Sequence, residues 1–216
     1  FPQPVRFLFY MLLYSMQRLS DVLAMTVNDI RQDPDGRLWI VWRQSKTAEP
    51  LEIPVERGCP LEPLLLERMQ TRITYKQRGT GEEKVCNKIV VSPHNHPWSK
   101  RNAITAWDAA VANVDKDFGP ADEAVKAQRH ALRRTGIVRM AEQGATAAQI
   151  APMSGHSIAT CQKMIDYYLG KRASVALSAV QIMERARVEG RTPIFTRMRE
   201  HERIKVSKTA SSASDD

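Results

Sequence analysis

His130-Ala131-Leu132-Arg133-Arg134-Thr135-Gly136, then Ser154-Gly155-His156-Ser157, then Asp166-Tyr167-Tyr168-Leu169-Gly170 follow one another in the last half of the chain. The stretch holds two histidines, two arginines and a pair of tyrosines, and His130, Arg133, His156 and the tyrosine pair stand in an order suited to phosphoryl transfer to a tyrosine without a metal. A guanidinium grips phosphate oxygens through two parallel hydrogen bonds and keeps its charge at neutral pH. Imidazole exchanges protons near neutrality. His130 and Arg133 share a helical face by their i,i+3 spacing. Each piece has an ordinary reading by itself: a structural His/Arg pair on one helix, or a turn carrying a polar residue. What lies upstream decides between these.

The chain of 216 residues is 43% hydrophobic, enough for one substantial core or for one domain with tails. Its net charge of +8 and pI near 9.6 favour a polyanionic partner, most simply nucleic acid. Residues 171–208 hold ten Lys or Arg against four Glu. This is a segment that could track phosphates or form a solvated helix and tail. Cys59, Cys86 and Cys161 have no metal-type spacing and read as reduced thiols of a cytoplasmic protein. No apolar run approaches the roughly 18 residues of a membrane span. Phe1-Pro2-Gln3-Pro4 has neither an initiator Met nor a signal-peptide pattern, and reads as the start of a piece of a longer protein.

Apolar density predicts a buried helix over 5–16, and Ser20-Asp21 is expected to cap a second one through about Val27. Asp33-Pro34-Asp35-Gly36 is a turn signal. Leu38-Trp39-Ile40-Val41-Trp42 and Leu51-Glu52-Ile53-Pro54-Val55 read as the strands of an antiparallel hairpin, with Lys46 near its tip. Further helices are expected over 61–75, 100–115, 120–142 (one or two), Ala145–Met153 (opened by Thr146), 158–169 and Ser174–Arg187. Residues 77–84 are expected to form a loop and Lys88–Ser92 a short strand. The fold class is therefore α+β, mainly α, with a small antiparallel sheet. Ser207–Asp216 is small and polar and is expected to be disordered.

With this layout the chain resembles the catalytic domain of the tyrosine recombinases, also called phage integrases, from about residue 5 to 170. Five separated motifs carry the likeness. Met16-Gln17-Arg18-Leu19-Ser20-Asp21 is similar to a family segment in which an arginine precedes an acid by three positions. Gln44-Ser45-Lys46-Thr47 is similar to its catalytic lysine turn, and His130-Ala131-Leu132-Arg133 to its His-x-x-Arg. Ser154-Gly155-His156-Ser157 is similar to its Gly-His motif, and the tyrosine completes the set. Alone, Arg18 would be a helix-surface arginine and Lys46 an exposed hairpin lysine.

The resemblance implies roles. Arg18 and Arg133 clamp the phosphate, His130 is the base, Lys46 the acid that protonates the leaving 5′ oxygen, and His156 a hydrogen-bond donor to the phosphate. Asp21 supports that end of the site. A tyrosine hydroxyl titrates near pH 10, so it needs such help to lose its proton. The resemblance also implies a site-specific integrase working through a 3′-phosphotyrosine without metal, ATP or cofactor. Its expected partner is double-stranded DNA at specific sites, bound by a homo-tetramer, for integration or excision of a mobile element. Residues 1–172 would be the catalytic domain, 173–206 a helical segment exchanged between protomers, and 207–216 a tail. A helical N-terminal domain completing the clamp on DNA would lie outside this chain. Two alternatives remain: a type IB topoisomerase, and a DNA-binding regulator that has lost catalysis.

The nucleophile departs from the common family spacing of nine residues after the Gly-His histidine, where this chain has Ile165. Tyr167 and Tyr168 lie eleven and twelve residues after His156. Asp166-Tyr167-Tyr168-Leu169 resembles an Asp-x-Tyr-Leu ending that selects Tyr168. Helical phase agrees, since Tyr168 shares an apolar face with Cys161, Met164 and Ile165, whereas Tyr167 shares a polar one with Thr160 and Lys163. Tyr167 is the second choice. His94-Asn95-His96 superficially suggests a metal-nuclease triplet but lies in a Pro-flanked turn with no acidic cluster, and is read as a loop.

Overall fold

The computed structural model describes residues 2–46, 48, 50–118, 129–169 and 173–190. The chain divides into two compact units, residues 1–170 and 171–216.

In the first unit, α1 (Gln3–Ser15) starts with Pro4 in its first turn, where a fixed φ suits the helix and the missing N–H costs nothing. It stops at Met16, which takes the left-handed conformation (φ 54°). The next helix, α2 (Leu19–Ala24), begins after Arg18, whose backbone is extended. Ser20 and Asp21 therefore lie inside the first turn of α2 instead of capping it, and no side chain caps that end. The consequence is that Gln17 and Arg18 leave the helical path and project into the junction between elements.

Three antiparallel strands follow: β1 (Ile30–Gln32), β2 (Leu38–Arg43) and β3 (Pro50–Pro54), in the order β1-β2-β3. The expected hairpin is β2–β3, with Ile40 opposite Ile53. The alternation predicted by a two-residue period is realised, since Leu38, Ile40, Leu51, Ile53 and Val55 are all buried. Strand β1 was not legible in the sequence because it is only three residues long and just Ile30 is buried. The Asp33–Gly36 turn joins β1 to β2, with Gly36 at φ 79°.

Helix α3 (Leu61–Gln70) is followed by β4 (Thr74–Lys76) and β5 (Glu83–Val85), a two-stranded sheet where a helix end and a loop were expected. All three β5 residues are exposed, so no apolar alternation marks the strand. The expected strand at 88–92 is reduced to isolated bridges, Thr26 with Lys88 and Val91 with Pro97.

Helices α4 (Lys100–Phe118), α5 (Arg129–Glu142), α6 (Ala147–Ser154) and α7 (Ile158–Leu169) complete this unit. Of the one or two helices expected over 120–142, α5 is described from 129 onward; residues 119–128 lie outside the described residues. Thr146 caps α6 as predicted, in a reciprocal capping box with Gln149. One core cluster joins α1, the three-stranded sheet, α3 and α4 around Leu8, Met11, Ile40, Ile53, Leu65 and Trp107. A second joins Met16 to α5, α6 and α7 through Ile137, Ile150 and Cys161. Gly136 lets α5 approach α1 closely, since a Cβ there would collide with the Leu13 carbonyl and the Met16 side chain. The fold is thus α+β and mainly helical, as expected.

In the second unit α8 (Ala173–Val188) is the described element, with Leu177, Val180, Ile182 and Met183 exposed. Residues 191–216, including the expected tail, lie outside the described residues. Among the described residues no helix is long and apolar enough to cross a membrane.

Candidate active site

The α1–α2 junction presents Arg18, and Asp21 one turn later is fully buried beneath it, with Arg18 Nη1 3.7 Å from Asp21 Oδ2. The other carboxylate oxygen of Asp21 accepts hydrogen bonds from the Ser45 backbone N–H (3.1 Å) and hydroxyl (2.7 Å). One buried carboxylate therefore joins Arg18 to the hairpin turn that carries Lys46. Lys46 itself is exposed, and Ala48 at the tip is left-handed (φ 55°). Thr47 lies outside the described residues.

Arg133 sits on the buried side of α5, only 8% exposed. Its Nη2 donates to the Ser154 carbonyl at 2.6 Å and lies 3.3 Å from His156 Nδ1. Its Nε and Nη1 are buried and have no hydrogen-bond partner among the described residues. Burial, then the charge of Arg18, pull Arg133 down to about 10, which leaves it cationic at neutral pH. A buried cation is costly and unmet donors add to that cost, which the charge of Asp21 offsets only in part. A second cation beside it raises the cost further. An incoming oxyanion would relieve all three at once.

His156 follows Gly155, the left-handed residue (φ 66°) that ends α6. Burial, then the charges of Arg133 and Arg18, push its imidazole down to about 4. Neutral imidazole carries one N–H, and a guanidinium can only donate. The Arg133 contact therefore makes Nδ1 the acceptor and leaves Nε2–H as a free donor.

Unfolded His156 takes up a proton near pH 6.5, whereas the folded protein resists this down to about pH 4. Its contribution to stability is complete above about pH 6.5 and is lost as pH falls from there toward 4. His156→Gln should flatten the fall of melting temperature across that window relative to wild type. Parallel melting curves for the two proteins would contradict the assignment.

His130, in the first turn of α5, is exposed, but it lines a cleft of about 310 Å³ with Arg18 and Arg133. Lys100 and Arg129 line the same cleft, and Arg129 is paired with Asp108 at 2.5 Å. No sequence motif singled out these two cations.

Neither tyrosine is hydrogen-bonded to Arg18, Arg133, His130 or His156. Tyr168 is half-buried, with its ring against the second core cluster. Its hydroxyl accepts from Arg134 Nη1 at 3.2 Å. Tyr167 is 82% exposed and meets Tyr168 edge to face at 4.8 Å. The helical phase read from the sequence is the observed one: Cys161 is buried, and Met164, Ile165 and Tyr168 pack on the core.

His94 and His96 lie in the expected turn, with Asn95 at φ 64° and the His96 ring 5.0 Å from that of Tyr75. Among the described residues no three His, Cys, Asp or Glu side chains converge as a metal site.

The fold is similar to that of a transposon integrase, Tn1549, solved with circular intermediate DNA. The TM-score is 0.59 at 19% identity, covering 82% of this chain and 57% of that one. It is also similar to XerA recombinase (TM-score 0.55, 17% identity, 84% and 63% covered). A third likeness is to lambda integrase, solved as a dimer on a core site (TM-score 0.52, 19% identity, 79% and 44% covered). The chain spans less than two thirds of each of these. No curated protein sequence matches it. The model of the phage integrase family matches residues 2–170, which takes in every motif described above, and the chain belongs to that family.

Proposed function

We propose that the chain is the catalytic part of a site-specific tyrosine recombinase, cutting and rejoining DNA through a 3′-phosphotyrosine. The observation that carries this reading is the buried Arg133 guanidinium, with two unmet donors beside Arg18 and the free Nε2–H of His156. Such a group is built for an oxyanion that gains charge during reaction.

In this reading Arg18 and Arg133 hold the non-bridging oxygens of the scissile phosphate, and His156 donates to one of them. His130 takes the proton from the Tyr168 hydroxyl. The phenolate oxygen bonds to phosphorus as the bond to the 5′ oxygen breaks, and Lys46 supplies the proton that the leaving oxygen needs. The new phosphodiester retains the energy of the old one, so a 5′ hydroxyl from another strand can reverse the step without ATP. Two guanidiniums and a histidine supply the charge stabilisation, so no metal or cofactor is called for.

Double-stranded DNA is the proposed substrate, with a tetramer as the working assembly and integration or excision of a mobile element as the role. The exposed apolar side chains of α8, Leu177, Val180, Ile182 and Met183, are the surface proposed to join protomers.

The test is capture of a covalent protein–DNA adduct on a nicked duplex, in EDTA and at low salt, with the modified peptide mapped by mass spectrometry. Low salt matters because contacts to phosphates weaken steeply as salt rises. The expected result is a 3′-phosphoryl adduct on the α7 peptide; DNA binding without any adduct would favour a non-catalytic regulator.

A further inference from the structure

Two glutamines are buried where the three parts of this site meet. Gln17, at the α1–α2 junction, and Gln44, at the end of β2, are 0% and 1% exposed. Gln44 Nε2 donates to Gln17 Oε1 at 2.6 Å and lies 3.3 Å from the Ser154 carbonyl. Gln17 Nε2 donates to the carbonyls of Ser15 (3.0 Å) and Met153 (2.9 Å). The Ser154 carbonyl is also the one that holds Arg133. Gly155 lies directly against the Gln44 amide, and a Cβ there would collide with it.

The amide pair thus reaches the residue before Arg18, the residue two before Lys46, and the turn that sets both Arg133 and His156. Burying two primary amides in a core is worthwhile only when their hydrogen bonds are met, and a met network is rigid.

We propose that Gln17 and Gln44 are positioning residues that hold the Lys46 turn in register with the arginine clamp. This rests on the function proposed above. The base of β2 cannot shift relative to Ser154 without breaking the amide bridge, so the acid and the clamp move as one body. Asp21 makes a second tie to the same turn through Ser45, but it anchors the turn to Arg18 and does not reach α6.

The test compares adduct formation by the 216-residue chain on two nicked duplexes that differ only at the leaving atom, oxygen in one and bridging sulfur in the other. A thiolate leaves without a proton, so the sulfur substrate bypasses Lys46. Wild-type protein should react with both; no adduct on either would remove the proposed function and this proposal with it. Gln44→Leu should slow the oxygen substrate on the order of 10²-fold, as expected for a misplaced acid. On sulfur its loss should be about tenfold or less. Gln17→Leu should show the same split. Equal losses on both substrates, or no loss, while wild type reacts, would overturn the positioning role and leave the function standing. Each rate ratio is taken within one protein, so partial unfolding cancels. Gln44→Met repeats the comparison if the leucine variant melts below the assay temperature.

Discussion

Tyr168→Phe is expected to abolish the covalent adduct on a nicked substrate, and Tyr167→Phe to leave it in place. The substitution removes a single oxygen. That oxygen accepts a hydrogen bond from the exposed Arg134, so the melting temperature should barely move, with a stability change within about 0.5 kcal/mol. A total loss of adduct in a protein that melts normally would identify the nucleophile without appeal to folding. The physical case for Tyr168 is its place on α7. Its ring lies on the core face with Met164 and Ile165, next to the α5 side chain that neighbours Arg133, while Tyr167 is 82% exposed. In this structure its hydroxyl rests on Arg134 and not on the clamp. If Tyr168 is the nucleophile, its hydroxyl must exchange Arg134 for the scissile phosphate before it attacks. An adduct that survives in Tyr168→Phe and disappears in Tyr167→Phe would reverse the assignment.

Arg133→Gln is expected to slow single-turnover cleavage by at least 10²–10³-fold, the usual cost of one transition-state donor. Arg133→Lys should be nearly as slow. An ammonium at that position keeps the charge but cannot present Nε and Nη1 together as a fork. Binding to DNA, followed by mobility shift at fixed low salt, should change far less than the rate, because one phosphate contact among many contributes modestly to affinity. Both variants also leave the Ser154 carbonyl without its 2.6 Å donor, so each should melt somewhat lower. Cleavage within about threefold of wild type in Arg133→Gln would remove Arg133 from the chemistry, since a buried transition-state donor cannot be lost so cheaply.

Much of the candidate site is legible in the sequence. The His130–Arg133 spacing, the hairpin around Lys46, the Thr146 cap and the phase of α7 all depend on residues a few positions apart. Turn chemistry, capping and helical period act over that range and leave patterns in the sequence. The strands that escaped notice show the limit of such patterns. β1 has one buried residue in three, and β5 has none. Where a strand buries so little, no alternation is written in its residues.

The sequence by itself determined which side chains could form a phosphate-transfer site, in what order, and on which face of its helix each tyrosine lies. Only the tertiary structure decided what those side chains do for one another. It put Arg133 in the interior and His130 at the surface of one cleft, although they are three residues apart on one helix. By burying His156 and setting it against Arg133 and Arg18, it favours the neutral imidazole, whose Nδ1 faces Arg133. It joined Gln17 to Gln44 and both to the turn at Ser154, across as many as 136 residues of chain. Contacts of that separation arise when helices and sheet pack into one core, and their energies depend on burial and on the charges that burial brings together. Neither quantity exists in a local stretch of sequence.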